Sequence, residues 1–304
     1  MRFKGGRALA PALTALLLCT GVANAQAWLP AGGSGSITLS YTNNWVRNHY
    51  LSNGNELDRG HIRSMTYGLS GDYSPTDNWM VSAFLPLVNS VYYGNYPHPG
   101  DIDNGSYHGT ITDLHTELHY QWISHPGFAV SPYVAYVMPT HRYVALGHAA
   151  PGRGLWEYWM GVDIGKSLDA FIPRTYVEAK LTYAVVQKVP VAQKDQEISH
   201  DKENIDFAVG YFLTREIAAQ VYVHWQKTLG GLTVPVPGLT DPAYFPIHDK
   251  AGSENFTQGG VSSTWSYSQS SAFTFAYLKS LKGEGGHKID DSISFAYTYD
   301  FGEH

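Results

Sequence analysis

The sequence has little of three things that mark familiar soluble classes. Cysteine is the first, with only Cys19 among 304 residues. It lies in MRFKGGRALAPALTALLLCTGVANA, where Arg2, Lys4 and Arg7 precede an apolar run and Ala23 and Ala25 close it. This order predicts a secretory signal over 1–25, with cleavage before Gln26. Cys19 follows leucines rather than a small residue, which argues against lipoprotein processing there. The mature chain, 26–304, then has no disulfide, no thiolate nucleophile and no cysteine-bound metal. Positive charge is the second scarcity. Three of the 20 Lys+Arg leave with the leader, and the remaining 17 face 26 acids, a net charge of -9. That balance excludes a nucleic-acid partner. Long apolar runs are the third. None of about 18 residues follows the leader, so no membrane helix is predicted. Nor does the chain hold Gly-x-Ser-x-Gly, His-Glu-x-x-His or a phosphate loop. No cofactor and no nucleotide-driven step is implied.

What is present is aromatic and glycine-rich: Tyr 22, Trp 8 and Gly 31, with only 15% charged residues. Tyr and Trp gather at membrane–water interfaces. Transmembrane barrels combine them with weak mean hydropathy, because only alternate residues face lipid.

Period-two alternation runs through the chain. In TDLHTELHYQW, Leu114, Thr116, Leu118, Tyr120 and Trp122 interleave with Asp113, His115, Glu117, His119 and Gln121. A strand sends these two sets to opposite faces, whereas a helix of period 3.6 would mix them. The same pattern returns in LWEYWMGVDIG, YVEAKLTYAV, NIDFAVGYFL, AAQVYVHWQ and ISFAYTYDF. About twelve such segments are predicted, near 36–46, 62–73, 78–92, 111–122, 128–140, 154–166, 174–187, 204–213, 217–228, 255–267, 272–281 and 289–301. Each has roughly the 9–11 residues, or slightly more, that a tilted membrane strand needs.

The connections alternate in length. SPTD, SHPG, LDAFI, TRE and SQSS are short, and long ones fall near 47–61, 93–110, 141–153, 188–203, 229–254 and 282–288. With the N-terminus on the periplasmic side, every short turn is periplasmic and every long loop is outside. The predicted fold class is all-β: a transmembrane antiparallel up-and-down β-barrel of about 12 strands, in the bacterial outer membrane. Closure also removes exposed sheet edges.

The middle of the chain, about 110–230, resembles the outer-membrane barrels named for the meta-pathway of phenol degradation. The resemblance rests on Asp113 and Leu114, on Pro139 and Thr140 at a strand end, on Gly152 and Gly154, and on Gly161, Gly165, Lys166 and Leu168. Thr112 and His141 stand where the pattern has glycine. The resemblance implies an outer-membrane barrel passing small, often aromatic or hydrophobic compounds. It brings no catalytic residues.

The inner faces predict a pore lined by Asp113, His115, Glu117, His119, Glu157, Asp163, Glu178, Lys180, Asp206 and His224. On that set acids outnumber Lys180, which predicts a preference for cations and neutral solutes. Trp159, Phe212 and Tyr222 would narrow the lumen. Tyr244, Phe245 and Pro246, in the Pro-rich stretch Gly230–Asp249, are candidates for a constriction at the mouth, with Tyr92–Asp101 available to pair with them. His115, Glu117 and His119 are weak metal candidates. His115 and His119 stand about 13.5 Å apart along a strand, so one ion would need ligands from neighbouring strands. The alternative for this stripe is a hydrated wall. His98, His108, His141, His148, His200, His248 and His287 fall in predicted outer loops, where imidazoles are simply exposed, bind metal or sense pH. Three functional readings stand open: passive uptake of small hydrophobic or aromatic compounds, a metal-binding or metal-responsive barrel, and an outer-membrane hydrolase. The expected partners are outer-membrane lipid, a small-molecule solute and the barrel-assembly machinery.

Overall fold

A computed structural model describes residues 27–302, except 59, 96, 97, 99–101, 126, 193 and 234–242. The expected leader, 1–25, lies outside the described residues. So do parts of the two outer stretches Tyr92–Asp101 and Gly230–Asp249.

Twelve long strands follow one another in chain order. They are β1 (Gly35–Tyr50), β2 (His61–Thr76), β3 (Trp79–Tyr93), β4 (Asp113–Tyr120), β5 (Phe128–Pro139), β6 (Glu157–Ser167), β7 (Thr175–Val186), β8 (His200–Phe212), β9 (Ile217–Gly230), β10 (Asn255–Ser268), β11 (Ser271–Glu284) and β12 (His287–Phe301). Each pairs antiparallel with its chain neighbours, and β12 pairs β1 from Gly35↔Phe301 to His49↔His287. The sheet is therefore a closed barrel. Short strands at Glu56–Leu57, His108–Ile111 and Ile123–His125 extend it.

The alternation in the sequence sorts the two faces as expected. Leu118, Phe207, Val221 and Phe295 are exposed, while Glu117, Ala208, Tyr222 and Ala296 beside them are buried. An exposed apolar wall with a polar interior inverts a soluble core and suits lipid as solvent. Aromatic rings gather toward both ends of this wall. Trp79 meets Tyr120 at 4.9 Å near the short turns, where Trp265, Tyr267 and Phe273 also cluster. Tyr136 packs on Trp156 and Tyr158 at the other end. Two aromatic girdles of this kind are the interfacial anchors of an outer-membrane barrel.

Inside, aromatic rings lie on glycines of the adjacent strand. A Cβ at Gly161 would meet the Tyr133 ring at 2.5 Å and Leu181 O at 2.3 Å. One at Gly210 would meet Tyr176, and one at Gly260 would meet Tyr222. The glycines of the central motif thus make room for large inward side chains. Gly165 does the same for Trp28. This tryptophan belongs to a segment before β1 that enters the short-turn end of the lumen. There Ala27 O accepts hydrogen bonds from Gln121 Nε2 at 3.0 Å and Ser131 Oγ at 2.8 Å, and Leu29 N donates to Gln121 Oε1.

One connection differs from expectation. The stretch 282–288 is not a long loop, because β11 runs to Glu284 and β12 starts at His287. Gly285 and Gly286, at φ 67 and 81, make the turn. Two consecutive positive φ values fit a tight hairpin turn, which only glycine-like residues form cheaply.

Candidate functional site

The barrel interior carries the unusual chemistry. Its middle is a network on β4 to β7. Strand register sets Lys180 opposite Asp163, and Glu117 is two residues from both His115 and His119. Lys180 Nζ lies 3.0 Å from both oxygens of Glu117. Nε2 of His115 and Nε2 of His119 reach the same carboxylate at 2.8 and 2.6 Å. His119 Nδ1 stands 3.3 Å from Asp163 and its ring stacks on Tyr133. Lys180 also sits 4.1 Å from the Tyr133 ring centroid, and Tyr133 hydrogen-bonds Thr182. The cation against Glu117 is thus the lysine ammonium. Glu178 is buried on the same wall, and its Oε2 has no hydrogen-bond partner among the described residues.

Toward the outer end the interior charges pair again. Lys202 reaches Glu157 at 2.8 Å, Arg153 reaches Glu254 at 2.5 Å, and His224 reaches Asp206 at 2.6 Å. Trp159 Nε1 donates to Glu157 Oε2. All of these side chains except Glu157 border a cavity of about 470 Å³, with Val46, Ile62, Phe256 and Ile289 as its apolar part. Its charged lining includes Arg153, Lys180, Lys202 and Lys250 besides Asp206, Asp249 and Glu254. The acidic excess expected from the strand faces is therefore offset. Lys202 belongs to β8, which starts at His200 rather than near 204, and Arg153 folds inward from a loop.

Asp113 sits at the outer end of β4 and holds a loop. Tyr143 Oη donates to it at 2.6 Å, Gly154 N donates to Tyr143 Oη at 2.8 Å, and Gly154 has φ 58. Thr140 Oγ1 donates to Thr112 O at 2.8 Å. The Asp-Leu, Pro-Thr and Gly-x-Gly pieces of the central motif thus meet in space and fix the segment between β5 and β6.

The expected mouth residues also find places. Phe245–Ile247 form a short 3₁₀ turn. Phe245 stacks on His98 with ring centroids 4.7 Å apart. Tyr244 packs on an apolar cluster that includes Leu155, Val186 and Ile198, and its Oη donates to Gln196 Oε1 at 3.1 Å. The two outer stretches therefore touch, as the sequence suggested.

Of the loop histidines, His98, His148, His248 and His287 converge with His49 at this mouth. His108, His141 and His200 lie apart from that cluster. His49 was missed because it follows the alternating part of its segment. Its only signal is its cross-strand pairing with His287, which the sequence does not show. Asp249 stands at the centre, 3.0 Å from His148 Nδ1, 3.1 Å from His248 Nε2 and 3.6 Å from His98 Nε2. Burial opposes its ionisation, but the His248 and His148 imidazoles hold its carboxyl well below the usual range. Burial likewise works against a charged His248, and Asp249 outweighs it, raising the imidazole. Asp103 accepts a hydrogen bond from His98 Nδ1 at 3.0 Å and others from the backbone N–H groups of His98, His148 and Ala149. Burial would raise Asp103, yet these donors bring it down to about 2.

A scan against protein families finds no match, and a search of curated proteins finds none. Solved structures do match. An outer-membrane channel from Pseudomonas putida F1 aligns over 92% of this chain and 100% of its own, with TM-score 0.72 at 13% identity. The fold is that of an outer-membrane barrel. The NanC porin aligns over 88% of this chain and 100% of its own, with TM-score 0.50 at 8% identity. The translocator domain of the autotransporter NalP from Neisseria meningitidis aligns over 90% of each chain, with TM-score 0.52 at 12% identity. At these identities the likeness concerns the fold, and the chemistry of the lumen is this chain's own.

Proposed function

We propose that this barrel is a passive outer-membrane channel for small solutes, with a preference for hydrophobic or aromatic ones. The cavity inside the closed barrel carries the reading. Its volume of about 470 Å³ lies in the range of small-molecule sites, roughly 300–1,000 Å³. Val46, Ile62, Phe256, Ile289 and Trp159 give a flat solute apolar contact, and the paired charges around them offer polar contacts at few points. The structural neighbours include a channel and a porin, which agrees with this role. A leader over 1–25 would export the chain. The barrel-assembly machinery would insert it, with outer-membrane lipid as the lasting partner.

The hydrolase reading receives less support. Among the described residues no serine hydroxyl is hydrogen-bonded to a histidine ring, the contact nucleophilic catalysis needs.

The test uses purified Gln26–His304 in planar bilayers and in liposomes. Discrete conductance steps are expected, with faster entry of a small phenolic solute than of a sugar of similar size. Equal rates would remove the aromatic preference. Absence of both conductance and flux would remove the channel reading.

A further inference from the structure

The outer mouth holds a cluster that solute passage leaves unused. It is assembled from five separate places: His49 at the end of β1, His98 after β3, His148 between β5 and β6, His248 with Asp249 between β9 and β10, and His287 at the start of β12. One ligand atom from each of His98, His148, His248 and Asp249 lies within 4.8 Å of the others, and the same holds for His49, His148 and His287.

We propose that His98, His148, His248 and Asp249 bind one divalent transition-metal ion of the zinc type. Three imidazoles and one carboxylate make a donor set that zinc favours. A tetrahedral zinc with ligands at about 2.0–2.1 Å keeps its donor atoms roughly 3.3 Å apart. The separations from Asp249 Oδ2, 3.0 Å to His148 Nδ1 and 3.6 Å to His98 Nε2, bracket that value, and His248 Nε2 stands 3.1 Å from the other oxygen of the same carboxylate.

The surrounding hydrogen bonds orient the rings as metal ligands require. Asp103 accepts the Nδ1–H of His98, which leaves the Nε2 lone pair on the cluster side, 3.2 Å from His248 Nδ1 and 3.6 Å from Asp249 Oδ2. Phe245 O accepts from Nδ1 of His248 at 2.6 Å, which leaves that ring's Nε2 on the Asp249 side. A carboxylate or carbonyl on the far nitrogen is the usual support of a metal-bound imidazole.

Atoms inside the cluster lack what those on its rim have. His148 Nδ1 and Asp249 Oδ2 approach without the alignment of a hydrogen bond, and neither has a hydrogen-bond partner among the described residues. Neither ring nitrogen of His49 has a hydrogen-bond partner there, although the residue is only 8% exposed. A buried polar atom left unmade costs about 1–3 kcal/mol. An ion held by the four residues would satisfy His148 Nδ1 and Asp249 Oδ2 at once. The neighbouring cation Arg153 is already paired with Glu254, so it leaves Asp249 to the imidazoles. An ion here would join three outer loops across the mouth.

The site does not rest on the solute reading, and binding is measured without transport. Metal-stripped Gln26–His304, folded in detergent, is titrated with Zn²⁺ against a chromophoric chelator, and with Co²⁺ by visible absorption. One equivalent is expected, with the intense absorption of four-coordinate Co²⁺. His98→Ala combined with His248→Ala should abolish tight binding. Asp103→Asn should weaken it about 10–100-fold. His141→Ala, at an exposed site outside the cluster, should leave it unchanged. Heat-modifiable migration verifies folding of each variant. No saturable binding by the parent chain would overturn the proposal. So would unchanged affinity in the double variant, or dependence on His49 and His287 alone. Binding without conductance would remove the channel reading and leave the metal site standing.

Discussion

Glu117 shows what a single position does in this barrel. It is 2% exposed, yet it meets one ammonium and two imidazoles. Such a carboxylate is tolerated only while its partners remain. Lys180→Met should destabilise the folded barrel by about 3–5 kcal/mol, because it strands a buried charge. Adding Glu117→Gln to that variant should recover most of the loss, since neither charge then remains. Urea unfolding in detergent, followed by tryptophan fluorescence, measures both. Equal instability of the single and double variants would mean that the pair is not what holds this wall. The sequence showed which side chains share the inner face. It did not show that Lys180 lands on Glu117, because the two lie 63 positions apart on non-adjacent strands.

At the scale of strands and turns, alternation was the legible signal. It placed Asp163, Glu178 and Asp206 inward and Tyr158, Phe207 and Val221 outward, as the barrel has them. Glycine was less legible. Gly161 in β6 gives up its side-chain space to Tyr133 of β5, and the two pair directly in register. Gly161→Val should therefore push the Tyr133 ring off the β6 wall and press on the backbone of β7. The expected result is slower folding into the heat-modifiable form and a stability loss of about 1–3 kcal/mol. Unchanged migration and unfolding would show that Tyr133 repacks freely. The start of β8 departs from expectation for a related reason. His200 to Glu203 are polar on both faces, so period two carries no contrast there, although the strand continues above the lipid.

For the molecule as a whole, closure decides what the interior is. The β1–β12 pairing turns a row of polar faces into one lumen. At its short-turn end the segment around Trp28 occupies part of that lumen, held by Gln121 and Ser131. Removing residues 27–31 should raise single-channel conductance severalfold without loss of the folded form. An unchanged step size would show that the narrowest point lies elsewhere, with the Glu117 network as the next place to cut.

The sequence by itself determined the strand class, the number of strands, the two faces and the gathering of the short turns at one end. These follow from period two and from turn chemistry, which are local and repeat along the chain. Only the tertiary structure decided the partners across the lumen. It set Lys180 on Glu117, Lys202 on Glu157 and three histidines around Asp249 with two more beside them. Barrel closure and loop folding bring together residues far apart in the chain, and no periodic pattern encodes their heights and angles. His49 and His287 are the sharpest case: 238 positions separate them, and closure makes them cross-strand neighbours.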